Sequence, residues 1–104
     1  MLSLIPPTTF KYTVNIPRPG DKPAPVVFEF KHRTKDVLRA FLETVSKGEL
    51  TDQALIMDIA VGWDGPDKAF SEVAVGALCE NYHGAARAVF DGYIEAFFDP
   101  KPRA

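Results

Sequence analysis

Reactive side chains are scarce in this chain. Among 104 residues there are one cysteine, two histidines and one tryptophan. The lone Cys79 excludes an internal disulfide and a zinc site built mainly from thiolates. His32 and His83 stand in no catalytic spacing. No glycine-rich phosphate loop, nucleophile elbow or paired-glycine dinucleotide motif occurs. Long apolar runs are missing too: Ala54-Leu55-Ile56-Met57 and Ile59-Ala60-Val61 fall far short of the ~20 residues that cross a bilayer. The start, Met1-Leu2-Ser3-Leu4-Ile5-Pro6-Pro7, has no positive n-region and is broken by prolines, so no export signal is expected and cytoplasmic residence is the default.

What is present is ordinary: 46% hydrophobic, 25% charged and a formal net charge of −2, as in a globular domain. The length suits one domain over residues 1–104, with flexible ends at 1–8 and 99–104. A net charge near zero excludes a uniformly basic nucleic-acid coat, but the charge is divided. Residues 1–50 carry eight Lys/Arg against five Asp/Glu, and residues 51–104 carry four against nine. Lys11, Lys31, Arg33, Lys35 and Arg39 put the excess on the first part of the chain. A basic β-ribbon can bind nucleic acid, which makes a nucleic-acid-binding or regulatory module the alternative reading. Thr13, Asn15, Val27 and Glu29 on the same ribbon are thin material for phosphate contacts. A charge dipole of this kind also suits head-to-tail contact between copies, a homo-oligomer.

Hydrophobic periodicity gives the organisation. Phe10, Tyr12, Val14 and Ile16 alternate with Lys11, Thr13 and Asn15, and Val26, Phe28 and Phe30 alternate with Val27, Glu29 and Lys31. These predict two strands, each with one buried face. Residues 17–25 between them hold four prolines and are expected to form an exposed proline-rich hairpin loop. Thr34, Asp36 and the stripe Val37, Leu38, Phe41, Leu42, Val45 predict a helix closed by Lys47-Gly48. A second helix from Thr51-Asp52 is apolar through Val61 on almost every side, which predicts a central, buried helix. Gly62-Trp63-Asp64-Gly65-Pro66-Asp67 reads as a turn-rich break. Ser71-Glu72 starts a third helix using Val73, Ala74, Ala77 and Leu78. In the fourth, Ala86, Val89, Phe90, Tyr93, Ile94 and Phe97 form the apolar stripe. The strip Ala85-Ala88-Gly92-Ala96 admits a close backbone approach. The fold class is therefore α+β, an N-terminal antiparallel β-hairpin followed by a bundle of about four α-helices.

Candidate sites are few. Cys79 and His83 are four apart, but two ligands make no metal site, and a buried cysteine and a turn histidine explain them. Asp58, Asp64 and Asp67 lack the spacing of a calcium loop. No catalytic residues, metal or cofactor are expected, and the chain is not read as an enzyme. Trp63, in a glycine-flanked turn, is either a partner-binding anchor or a ring folded back over the helical core. Phe97 and Phe98, next to the polar tail, complete the partner-binding candidates.

The hairpin Phe10-Lys11-Tyr12-Thr13-Val14 and Val27-Phe28-Glu29-Phe30-Lys31-His32-Arg33, the turn Val61-Gly62-Trp63-Asp64-Gly65, then Phe70-Ser71 and Asn81-Tyr82-His83-Gly84-Ala85-Ala86-Arg87-Ala88 form one succession. Over about Phe10 to Phe98 it resembles the small tail assembly chaperones of long-tailed bacteriophages and prophages. The resemblance implies a non-enzymatic protein of the bacterial host cytoplasm that binds the tape-measure protein, keeps it soluble, helps recruit the tail tube protein and leaves before the virion is finished. It also implies that a longer product can arise by ribosomal frameshifting. Helix-in-groove binding is the physical mode that suits a long helical client.

Overall fold

A computed structural model describes residues 1–101. Strands β1 (Thr9–Arg18) and β2 (Asp21–Lys31) form the hairpin, followed by α1 (Lys35–Ser46), α2 (Asp52–Ile59), β3 (Ala60–Asp64), α3 (Glu72–Asn81) and α4 (Ala85–Phe98). The three strands make one antiparallel sheet in the order β1-β2-β3. The α+β class, the hairpin and the four helices agree with the sequence reading; four details do not.

First, residues 17–25 are not a loop. The strands run on to a tight Pro19-Gly20 turn, with Arg18 opposite Asp21. Proline presets φ at the first turn position and Gly20 takes φ 71° at the second, which is the combination such a turn needs. Pro17 falls where the register shifts between Ile16 and Arg18, a bulge, where a missing donor breaks no ladder bond. Pro23 and Pro25 are two apart, so their missing donors share one edge of β2, and β3 reaches only Val27–Phe30. Second, the helix expected through Val61 stops at Ile59 and becomes β3, with Val61 bulged out between the Glu29–Gly62 and Phe30–Ala60 pairs. The β-branched and aromatic run Ile59 to Trp63 carried that signal. Third, α2 is not central: only Ile56 and Ile59 of it are fully buried. Fourth, Val37 and Val73 lie outside the apolar stripes, at 53% and 82% exposed. The expected tail at 99–104 is described to Lys101, whose backbone N–H donates to the Tyr12 hydroxyl at 3.0 Å; residues 102–104 lie outside the described residues.

The inner sheet face holds Val14, Ile16, Val26, Phe28 and Phe30, all buried, and α4 lies on it through Ala85, Ala86, Val89, Gly92 and Tyr93. Two features set that packing. A Cβ on Gly92 would sit 2.8 Å from Val14 Cγ2, so the absent side chain fixes how near the helix comes. Next to it, fully buried Tyr93 is the centre of an aromatic cluster, with ring centroids 5.1 Å from Phe30, 6.1 Å from Phe41 and 5.0 Å from Phe97. Its hydroxyl donates to the Lys31 carbonyl at 2.8 Å, so the phenol oxygen is buried with a partner.

Arg33, just past β2, ties the helices to this centre. Its Nη2 donates to the Asp58 carbonyl at 2.7 Å and to Asp58 Oδ1 at 2.8 Å. The guanidinium lies 4.5 Å from the centroid of the Phe41 ring, a cation–π contact on a face where one nitrogen, Nη1, is buried without a hydrogen-bond partner.

Two predictions follow from this packing. Gly92→Ala gains up to about 1 kcal/mol of helix propensity but overpacks against stiff, buried Val14, which costs about 1–3 kcal/mol. Chemical denaturation should therefore show a net loss of roughly 1 kcal/mol, and Val14→Ala in the same chain should cancel the overpacking part. Separately, burial pushes the Tyr93 phenol up to about 12 from 10, with Arg33 opposing and Asp58 adding to the effect. Because the folded value is the raised one, this stabilisation is full below about pH 10 and is lost as pH climbs towards 12. Ultraviolet titration should show one late tyrosine step accompanying alkaline unfolding, absent in Tyr93→Phe.

Candidate partner-binding groove

Along the turn half of the hairpin, the strands, the chain around Trp63 and α3 leave a space between them. The resulting groove, of about 390 Å³, has three walls. The hairpin supplies Ile16, Ala24, Pro25 and Val26; β3 supplies Trp63, in a strand and not in the expected turn, and the loop after it Pro66; α3 supplies Ala74, Ala77, Leu78 and the following Tyr82. Arg18, Asp67, Lys68 and Asn81 give it a polar margin. An apolar floor with few polar groups at the rim is the make-up of a binding cleft.

Two of the walls are held by local contacts. Trp63 is half-buried, with its ring edge-on to Phe28 at 6.0 Å and to Phe70 at 5.2 Å. Its indole N–H donates to the Lys68 carbonyl at 2.8 Å, which folds the loop back under the ring. The α3 wall is set by Ser71, whose hydroxyl accepts from Ala74 N–H at 3.0 Å and caps the helix. Gln53 on α2 donates to the Glu72 carbonyl at 2.6 Å, joining the first turn of α3 to α2.

The three residues singled out from sequence do not meet in one place. Trp63 is at once a groove wall and a core ring. Phe97 belongs to the opposite edge of the sheet, half-buried against Phe10 at 5.4 Å and His32 at 5.5 Å. Phe98 is 67% exposed at the end of α4. Sequence reading missed Pro25, Ala77, Leu78 and Tyr82 as groove residues. Pro25 was assigned to a loop and the others to a helix stripe or its end, and nothing in their spacing signals a concave surface.

Chemical alternatives find little support in the geometry. Burial, and then neighbouring Asp52, push the Cys79 thiol up, which suppresses its nucleophilic form. His83 lies past the end of α3. Among the described residues no three His, Cys, Asp or Glu side chains gather as a metal site. Asp58 is occupied by Arg33. The basic set is depleted by the fold: Arg33 is spent on Asp58, and Arg39 lies 3.5 Å from Asp36. Glu29 sits between the Lys11 and Lys31 positions on the outer sheet face, accepting from the Thr9 hydroxyl at 2.8 Å. Among the described residues no helix is long and apolar enough to cross a membrane.

The sequence profile of the phage tail assembly chaperone family matches residues 1–102. With nearly the whole chain covered, the protein belongs to that family. No curated protein and no solved structure matches it.

The two aromatic classes should separate on substitution. Trp63→Ala removes a ring packed on fully buried Phe28 and should cost about 2–4 kcal/mol, whereas Phe98→Ala, at an exposed position, should change stability by no more than about 0.5 kcal/mol. Thermal and chemical unfolding of both variants measures this.

Proposed function

We propose that this member of the phage tail assembly chaperone family binds the tape-measure protein in the bacterial host cytoplasm, keeps it soluble, brings the tail tube protein to it, and is absent from the finished virion. The observation that carries the reading is the conjunction of the family match over residues 1–102 with an apolar groove of about 390 Å³. A tape-measure protein is a long helical client whose apolar stripe must be kept from self-association. A groove walled by Trp63, Leu78 and Ile16 can take successive apolar side chains of such a helix at i, i+3 or i+4 spacing. Phe98, and the exposed edge of Phe97, offer a second apolar contact at the other side of the sheet.

The role requires no bond to be made or broken, so the protein acts as a non-enzymatic chaperone. Its working parts are surfaces with fixed backing: Trp63 is held by Phe28, Phe70 and the Lys68 carbonyl, so the client meets a wall that is already ordered. Preorganisation of this kind lowers the entropy lost on binding. The margin of Arg18, Asp67 and Lys68 supplies both signs of charge for orienting a client helix.

Co-expression with the tape-measure protein of the same phage tests the reading. The intact chain should raise the soluble fraction of the client and co-elute with it. Ala77→Arg, which places a long charged side chain in the groove at an exposed helical position, and Phe98→Ala should each weaken capture by roughly 5- to 30-fold, the 1–2 kcal/mol of a contact residue. Unchanged client solubility with no co-eluting complex overturns it.

A further inference from the structure

We infer that the seat of α1 on α4 is a client site distinct from the groove, which a client helix enters by displacing α1. The inference rests on the chaperone reading and adds a surface to it. α1 is fastened almost entirely by apolar contact. Of its 12 residues only Leu38 and Phe41 are buried. Among the described residues, every side-chain hydrogen bond or ion pair that α1 makes stays within it. Arg39 meets Asp36, Thr44 bonds the Ala40 carbonyl and Ser46 bonds the Glu43 carbonyl. Thr34, at the N-cap position, makes no side-chain bond to the first turn. At the other end the chain leaves through Gly48, at φ 71°, and exposed Glu49.

Beneath α1 lies the aromatic surface of α4. The Phe41 ring stands 6.1 Å from Tyr93 and 6.4 Å from Phe90. On the face of that ring rests the Arg33 guanidinium, whose buried Nη1 has no hydrogen-bond partner. α1 brings no acceptor to it. A buried donor left unpaired raises the free energy of the closed arrangement, the more so on a charged group. The occupant that suits the seat better than α1 is thereby defined by its chemistry. It is an amphipathic helix with the apolar spacing of Leu38, Phe41, Leu42 and Val45. It carries an aromatic ring to face Arg33 and a carboxylate within one turn of that ring. Exchange replaces apolar contact with apolar contact and one cation–π pair with another. The gain is a charge-assisted hydrogen bond at Nη1.

A tethered helix resists displacement from free solution, because its effective concentration is on the order of millimolar. A client already held in the groove escapes that handicap, since its neighbouring segments are tethered too. The molecule measures 42 Å along its longest axis. A helix covers that distance in about 28 residues at ~1.5 Å each, so one long helical client supplies both segments.

Hydrogen exchange on the full chain, alone and in complex with the co-expressed tape-measure protein, tests this. Alone, the amides of Arg39 to Ser46 should exchange at least about 100-fold faster than those of Val89 to Tyr93, through an opening that leaves the sheet intact. In the complex, α1 exchange should quicken by at least about 10-fold while the α4 amides slow. A second measurement uses a synthetic peptide of residues 34–47 in place of the client. A full chain carrying Leu38→Asp, with its own α1 unseated, should bind this peptide at least about 10-fold tighter than the intact chain does. Val37→Glu or Thr44→Glu in the peptide brings a carboxylate one turn to either side of the ring. One of the two should bind about 10-fold tighter than the parent peptide, the yield of a hydrogen bond to a charged group. Equal peptide affinity for the two chains, or no gain from either glutamate, overturns the proposal. So does a complex in which α1 keeps its protection, or an α1 that exchanges only with global unfolding; both leave the chaperone reading standing. Absence of any complex overturns that reading and this proposal together. The exchange measurement needs no variant, so it decides even where Leu38→Asp does not fold.

Discussion

The distance between α4 and the sheet governs the rest of the molecule. Gly92 lets the helix backbone settle onto Val14, and only at that separation does the Tyr93 hydroxyl reach the Lys31 carbonyl while its ring meets Phe30, Phe41 and Phe97. The aromatic cluster in turn gives Arg33 a surface to lie on, and Arg33 holds the end of α2 through the Asp58 carbonyl and carboxylate. From α2 the constraint passes to α3 through Gln53 and the Glu72 carbonyl. One missing side chain therefore sets, by successive contacts, where the groove's helical wall stands.

On the reading proposed above, function is carried by shape. The partly buried thiol, Asp58 and Arg33 are engaged within the fold, and among its charged groups the surface presents apolar features: a groove at one end, an uncovered arm, Met1 to Ile5, at the other, and Phe98 beside the tail. The division of charge read from the sequence persists as a tendency, but the Arg33–Asp58 pair shows the two halves partly neutralising each other across the core. That pairing makes the positive half an internal tie more than an outward patch.

Strands and helices with one clean apolar face were legible in advance, because burial on a single side imposes a period: Phe10 to Ile16 and Val26 to Phe30 are examples. Capped helices were legible for a similarly local reason, as Ser71 and Thr51 show. Elements decided by tertiary pairing were not. The run Ile59 to Trp63 satisfies a buried helix and a strand equally well, and only the open edge of β2 selects the strand. The hairpin tip misled because four prolines argue against a ladder on average, yet each sits at a bulge, at the turn or along an edge that β3 does not cover. Trp63 could be picked out as a large apolar group, but the groove could not, since its walls come from three separate segments.

Those same prolines have a consequence for a hairpin whose tip is left uncovered. At the turn end of the hairpin neither flank is covered by another strand: β1 is an edge along its whole length and β2 is bare beyond Val27. An exposed ribbon of this kind is a template on which foreign chains add strands and aggregates grow. Pro17 on one flank and Pro23 and Pro25 on the other have no donors to extend a ladder. A chain entering the neighbourhood of the groove is thus met by side chains and refused by backbone, so this end of the ribbon offers no ladder for a fourth strand.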